Sequence, residues 1–243
     1  MDWIYLSPHF DDAAFSCGGL IAMQSRTDQK VAIWTICAGD PPRGPLSPFA
    51  QSLHDRWELE GNPVPKRRAE DKSACHELGA VWRHFSIPDC IYRRSPHDDL
   101  PLYASEDEVF GPIHPGEAGL VEHLRQQLLQ VVPDDAMIVC PLTIGGHIDH
   151  RLARSAAEGL GLKLWYYADY PYVQMEEANL AAKTAGMRAE RFDLVEADLA
   201  VWTEAAAAYA SQISSFWDDR DAMRRALRDY YRQMQGLLLW RKI

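Results

Sequence analysis

The sequence predicts an α/β protein, a mostly parallel sheet covered by helices on both faces in three layers. Three observations point there. Apolar runs of strand length alternate with segments of helical character along most of the chain. One of those runs, residues 31–37, is β-branched and nearly continuous in apolar character, as a strand buried on both faces must be. Histidine-carboxylate clusters follow two of the strands, at the ends where open α/β sheets keep their chemistry. With 243 residues, 47% of them apolar and 25% charged, the chain can bury a sizeable core in one large α/β domain or two small ones.

Trp3-Ile4-Tyr5-Leu6 is the first strand, and it runs directly into Ser7-Pro8-His9-Phe10-Asp11-Asp12. Gly18-Gly19 then leads into a short helix at 20–23 that ends in a polar turn around Thr27-Asp28. Residues 31–37 form the second strand and complete a βαβ unit. From 38 to 62, prolines and three glycines occur without a period, a stretch too long for a plain connector and therefore a candidate wall of a site. The clearest helix is 65–78, with Pro65 suited to a first turn and Gly79 at its end.

Residues 82–87 form the third strand, terminated by Pro88-Asp89, and a second irregular stretch covers 92–119. A helix at 117–131 and a strand at 136–140 follow, after which 141–146 delivers the chain into His147-Ile148-Asp149-His150, the opening of a helix that runs to about Leu160. Residues 162–168 make a fifth strand, leaving through Asp169-Tyr170-Pro171-Tyr172, and 191–195 an edge strand. The last fifty or so residues are chiefly helical, at 199–213 and 219–234, with Asp218 or Asp219 as the cap of the second helix. Strands alternating with helices call for right-handed crossovers, a Rossmann-like arrangement.

Composition removes several classes of function. The net charge of −10 argues against a nucleic-acid partner, and the one dense basic cluster, Lys66-Arg67-Arg68, opens a predicted helix. The five cysteines (Cys17, Cys37, Cys75, Cys90, Cys140) form no Cys-x-x-Cys pair, so a reduced chain in the cytoplasm is expected. The amino terminus lacks the basic and apolar regions of a signal peptide. No run approaches the roughly 18 apolar residues of a transmembrane span.

Taken singly, each cluster has a plain structural account. Asp11 or Asp12 can cap the next helix, and Asp149 can sit at the positive end of a helix dipole. Together they say more, because parallel strands end on one rim and the clusters can converge there. A catalytic zinc takes three protein ligands and keeps one position for water. Two histidines and one carboxylate make such a set, with an aspartate and a histidine left to handle protons. The same donors suit a non-haem iron oxygenase, which calls for a β-rich barrel instead. A sugar or nucleotide binder without catalysis is the third reading, although Gly18-Gly19 falls short of a Gly-x-Gly-x-x-Gly fingerprint.

Ser7-Pro8-His9-x-Asp11-Asp12 with Gly18-Gly19, paired with His147-x-Asp149-His150, resembles the PIG-L/LmbE-like family of zinc-dependent de-N-acetylases, which act on N-acetylglucosaminyl compounds. The likeness continues through Ala38-Gly39-Asp40, the helix at 68–79, Pro88-Asp89, 167–172 and Tyr209-x-Ser211-Gln212. It implies one domain over 1–243, with 38–62 and 92–119 lining the site. The implied reaction is hydrolysis of an N-acetyl group from an N-acetylglucosamine-type small glycoconjugate. The implied cofactor is zinc, with iron(II) or another divalent ion as the alternative, and the partner is a small N-acylated sugar, homo-oligomers being left open.

The resemblance also implies roles. His9, Asp12 and His150 match the metal ligands and Asp11 the general base. His147 matches the histidine that steadies the oxyanion and serves the leaving amine, with Asp149 orienting its ring and favouring its charged form. Arg68 and Asp89 fall near positions that contact substrate. Phe10 and Ala13 stand where the family has proline and glutamate; neither is a ligand, so the difference falls on the shape of the loop and its supporting hydrogen bonds. Trp57, Trp82, Tyr92, Tyr103, Tyr170 and Tyr172 are expected to pack rather than to stack on sugar, and His54, His97 and His114 to be solvated rather than to form a second metal site.

Overall fold

The first apolar run is strand β1 (Asp2–Ser7) in the computed structural model, which describes residues 2–57, 61–175 and 178–243. Helix α1 (Asp12–Arg26) and strand β2 (Lys30–Thr35) complete the expected βαβ unit. Helices α2 (Pro48–Arg56) and α3 (Val64–Leu78) lead to β3 (Val81–His84). After the short helix α4 (Glu106–Val109) come α5 (Leu120–Leu129), β4 (Met137–Pro141), α6 (Ile148–Glu158) and β5 (Leu164–Tyr167). The remainder holds α7 (Leu180–Lys183), β6 (Met187–Phe192), α8 (Glu196–Ala207), α9 (Ala210–Phe216), α10 (Arg220–Gln233) and β7 (Leu237–Lys242).

These strands form one sheet in the order β3-β2-β1-β4-β5-β7-β6. The first five are parallel, while β7 lies antiparallel to both β5 and β6. Side chains alternate across the sheet with the period of two that strands impose. Tyr5 therefore joins a core with Ile33, Val139 and Trp202, whereas Ile4 and Leu6 join a second one with Ile138, Cys140 and Leu124. Strand order reverses between β1 and β4, and the crevice outside the carboxyl ends of such strands is where open α/β sheets bind ligands.

Several elements differ from the sequence reading. The first helix begins at Asp12 and passes straight through Gly18-Gly19, rather than covering only 20–23. The reason is a close crossing. A Cβ on Gly18 would stand 2.3 Å from Trp202 Cδ1, and the indole N–H of this fully buried tryptophan donates to Ala14 O at 2.8 Å. Gly18→Ala should destabilise the fold by about 1–3 kcal/mol, the usual cost of overpacking, seen as a lower urea midpoint with an unchanged slope.

The 38–62 stretch carries α2, whose start was marked by Ser47, accepting from Ala50 N at 3.0 Å, and by Pro48. Residues 58–60 of that stretch lie outside the described residues. The expected helix at 199–213 is two helices, because Tyr209 turns its hydroxyl to the buried Asp71 (2.8 Å) and Glu70 takes the N–H of Ser211 (3.0 Å) at the break. The edge strand falls at 187–192 rather than 191–195, and β7 was read as no element at all. Its apolar run Leu237-Leu238-Leu239-Trp240 is too short for periodicity to separate strand from helix. Among the described residues no helix is long and apolar enough to cross a membrane.

Candidate active site

Both histidine-carboxylate clusters stand at the rim above β1 and β4, which are hydrogen-bonded neighbours. Ser7 shapes the first loop. Its hydroxyl donates to His9 O (2.5 Å) and accepts from Ala13 N (3.0 Å), while His9 N donates to Asp12 Oδ2 (2.7 Å). Asp11 occupies the cap position of α1 but makes no capping hydrogen bond with its side chain, so the purely structural account does not explain it. Ala13 is fully buried in the core, and Phe10, also buried, forms a ledge under the Arg67 guanidinium, 5.3 Å from ring centre to Cζ.

Asp12 stands between two imidazoles, one against each of its oxygens. His9 Nδ1 lies 3.2 Å from Asp12 Oδ2, and His150 Nε2 lies 3.3 Å from Asp12 Oδ1. Ligands about 2.0–2.1 Å from a tetrahedral zinc stand about 3.3 Å apart. The far nitrogens of both rings turn to buried carboxylates: His9 Nε2 to Asp149 Oδ2 at 3.1 Å, His150 Nδ1 to Asp169 Oδ1 at 2.6 Å. Metal-binding histidines are oriented in this way. His150 Nε2 is buried without a hydrogen-bond partner among the described residues, a costly state for an isolated group and one that a cation beside Asp12 would relieve. His9, His147 and His150 also bring one nitrogen each within 4.8 Å of one another, a second donor set that overlaps the first.

Charge distribution separates the two aspartates. Burial and the neighbouring Asp12 push Asp11 up to about 6, against Arg67 and His9. Asp12 is buried too, but His150 and His9 overcome burial and hold it well below the usual carboxylate range. Burial disfavours the charged forms of His9 and His150, yet Asp89, Asp12 and Asp149 raise His9 well above its ordinary value, and Asp12 and Asp169 raise His150 to about 9.

His147 is different. Burial and the adjacent His9 hold it well below the ordinary histidine value, and the amide of Asp149 donates to its Nδ1 at 3.2 Å. Both features favour the neutral imidazole with its proton on Nε2, whereas the family resemblance implies the charged form. The carboxylate of Asp149 comes within 4.8 Å of a His147 ring nitrogen but makes no hydrogen bond to it. It receives His9 Nε2, the amide of Cys90 (3.0 Å) and Arg93 Nη1 (2.5 Å), because the turn after β3 and the 92–119 segment close over it.

A cleft of about 270 Å³ opens over this cluster, lined on its polar side by His9, Asp11, Asp12, Arg67, Asp89 and His147. Asp89 lines the cleft, with Oδ2 3.7 Å from His9 Nε2. Arg68 does not. Its guanidinium is tied to Ala38 O (2.6 Å) and Asp40 (3.0 Å), whereas Arg67 Nη2 faces Asp11 Oδ1 at 3.6 Å and the side chain lies over Trp57. One residue along a helix is a rotation of about 100°, enough to exchange a tether for a cleft residue.

Of the aromatics read as packing, Trp57 and Tyr172 line the cleft, while Tyr103 and Tyr170 are buried in the core. His54, read as solvated, is buried against Tyr92 OH at 2.7 Å; His97 and His114 are exposed. Sequence reasoning missed Asp169 and Arg93. A carboxylate ending the fifth strand, on the same rim as the others, was a signal for Asp169; nothing local marked Arg93.

Residues 4–160 match the PIG-L family, described as GlcNAc-PI de-N-acetylase. The chain is 28% identical over 183 residues to a 2'-N-acetylparomamine deacetylase of Streptomyces fradiae, a match covering 72% of this chain and 59% of that protein. It thus spans less than two thirds of that relative's length. A 2'-N-acetylparomamine deacetylase of Niallia circulans is 28% identical over 189 residues, with 71% of this chain and 68% of that protein covered. Among solved structures, the zinc inhibited form of teicoplanin deacetylase Orf2 superposes with a TM-score of 0.85 at 25% identity, over 99% of this chain and 97% of the other. The A40926 pseudoaglycone deacetylase Dbv21 gives 0.73 at 26% identity, over 99% and 96%.

Proposed function

The chain belongs to the PIG-L family, and from that footing we propose that it hydrolyses an N-acetyl group from an N-acetylglucosamine-type or related small glycoconjugate, with Asp11 as general base. One observation carries the reading. Two carboxylate-backed imidazoles flank Asp12, and beside them stands a second carboxylate, unused by the helix start and raised to about 6. The relatives, 2'-N-acetylparomamine deacetylases and teicoplanin deacetylase, support the same bond. Five buried, unpaired cysteines support a reducing, cytoplasmic setting.

His9, Asp12 and His150 would hold the metal, zinc or another divalent ion, which supplies Lewis acidity by lowering the pKa of a water to roughly 7 and polarising an acyl oxygen. The other steps fall to the protein. Asp11 accepts the proton of the attacking water, since a carboxylate raised to about 6 is ionised at neutral pH yet basic enough to take it. His147 donates from Nε2–H to the carbonyl oxygen as that oxygen gains negative charge, its tautomer fixed by the Asp149 amide. The proton held by Asp11 passes to the departing amine, and acetate and free amine leave.

Arg67 supplies a cation to the wall nearest Asp11 and binds the sugar hydroxyls that position the amide. Arg67→Ala should lower kcat/KM about 10- to 100-fold, matching the roughly 1.5–3 kcal/mol of a hydrogen bond to a charged group, while Arg68→Ala stays within about twofold. Steady-state kinetics on the two variants would show which arginine acts. The reading as a whole is tested by amine release from a panel of N-acetylated amino sugars, with chelator and with zinc restored. Release that chelator abolishes and zinc restores is expected; a metal-loaded protein that releases no amine from any of them would be a binder.

A further inference from the structure

The 92–119 segment does more than line a cleft: we propose that Arg93 is a positioning residue that fixes the metal-binding edge of His9 by holding Asp149 from behind. The inference rests on His9 being a metal ligand. Asp149 is fully buried, and its two oxygens are divided between partners. Oδ1 receives Arg93 Nη1 at 2.5 Å, while Oδ2 receives His9 Nε2 at 3.1 Å and Cys90 N at 3.0 Å. A carboxylate free to turn could offer either oxygen to the imidazole. With Oδ1 held by Arg93, Oδ2 is fixed in place against Nε2 of the ring, and the opposite edge, with Nδ1 3.2 Å from Asp12 Oδ2, is kept turned toward Asp12.

Arg93 is itself fixed. Its Nε and Nη2 face Glu117, the latter 3.3 Å from Oε2, and Nη1 also reaches Pro88 O at 3.3 Å. Glu117 Oε2 accepts from Tyr103 OH at 2.8 Å, and that hydroxyl accepts from His114 N at 2.9 Å. Arg93 and Glu117 are 7% and 5% exposed, so this chain of alternating charge lies almost wholly out of water. The guanidinium serves two carboxylates on two edges at once, which a single ammonium cannot reproduce. Arg93, Glu117 and Tyr103 are absent from the cleft lining, so their effect should fall on the metal site rather than on substrate contact.

The test is zinc affinity of the full chain, measured by competition with a chromophoric chelator, alongside the absorption spectrum of the cobalt(II) form. Arg93→Lys should bind zinc about 10- to 100-fold more weakly than the unaltered chain, the usual effect of losing the partner that orients a ligand. Its cobalt spectrum should also change, because the ligand field around the ion changes, and a loss of stability alone would not alter it. Glu117→Gln, which keeps the volume and weakens the hold on Arg93, should move affinity the same way by a smaller factor. A folded Arg93→Lys with unaltered affinity and spectrum would overturn the proposal. Should Arg93→Lys fail to fold, Glu117→Gln decides: weaker zinc binding supports the role and unchanged binding removes it. If the unaltered chain binds no zinc, the metal reading falls as well; if it binds and both variants match it, only the role of Arg93 falls.

Discussion

Asp11→Asn leaves the chain folded and metal-loaded and lowers turnover about 10²- to 10⁴-fold, the usual worth of a positioned general base. Asparagine has the same shape, and no capping bond depends on the carboxylate that it replaces. The ligand set is untouched, because Asp12 and both imidazoles keep their partners. What disappears is a cleft carboxylate raised to about 6. The sign of the pH dependence follows: wild-type activity falls as pH drops through about 6, where Asp11 takes up the proton it must be free to accept. A cation beside Asp12 draws this limb to lower pH, and the variant lacks it. Turnover and elemental analysis on the same sample decide the matter, and undiminished turnover in Asp11→Asn or Asp11→Ala removes Asp11 from the mechanism.

His150→Ala acts on the metal instead. His150 Nε2 is buried without a hydrogen-bond partner among the described residues, and its other nitrogen is held by Asp169 at 2.6 Å, so the ring is fixed toward Asp12. Its removal takes away one of the three proposed ligands and leaves Asp169, wholly buried, without its imidazole partner. Elemental analysis should find the purified variant free of zinc. Urea unfolding should show it destabilised by about 3–5 kcal/mol, as when one member of a buried charged pair is deleted. A His150→Ala protein that carries a full equivalent of zinc would mean that the ligands lie elsewhere.

Much of the fold was legible because it is written in local periodicity. Strand β1, helix α3 with Gly79 behind it, and the start of α6 at His147 were each announced by residues within a few positions of one another. Elements decided by distant partners were not. The continuity of α1 through Gly18-Gly19 depends on Trp202, the break after α8 on Asp71 and Glu70, and β7 on a place between β5 and β6. Arg67 and Arg68 are neighbours of the same type in the sequence, and which of them faces the cleft is settled by how α3 is rotated against the sheet.

By itself the sequence determined the α/β class and put His9, Asp11, Asp12, His147, Asp149 and His150 on one rim, because strand ends and helix starts are short-range features. Only the tertiary structure decided which carboxylate meets which imidazole. Asp149 turns to His9 instead of His147, and Asp169 comes across from β5 to His150. The physical reason is burial: these groups are shut away from water, each must find a partner, and the partners at hand are those brought by strands and segments far away in the chain.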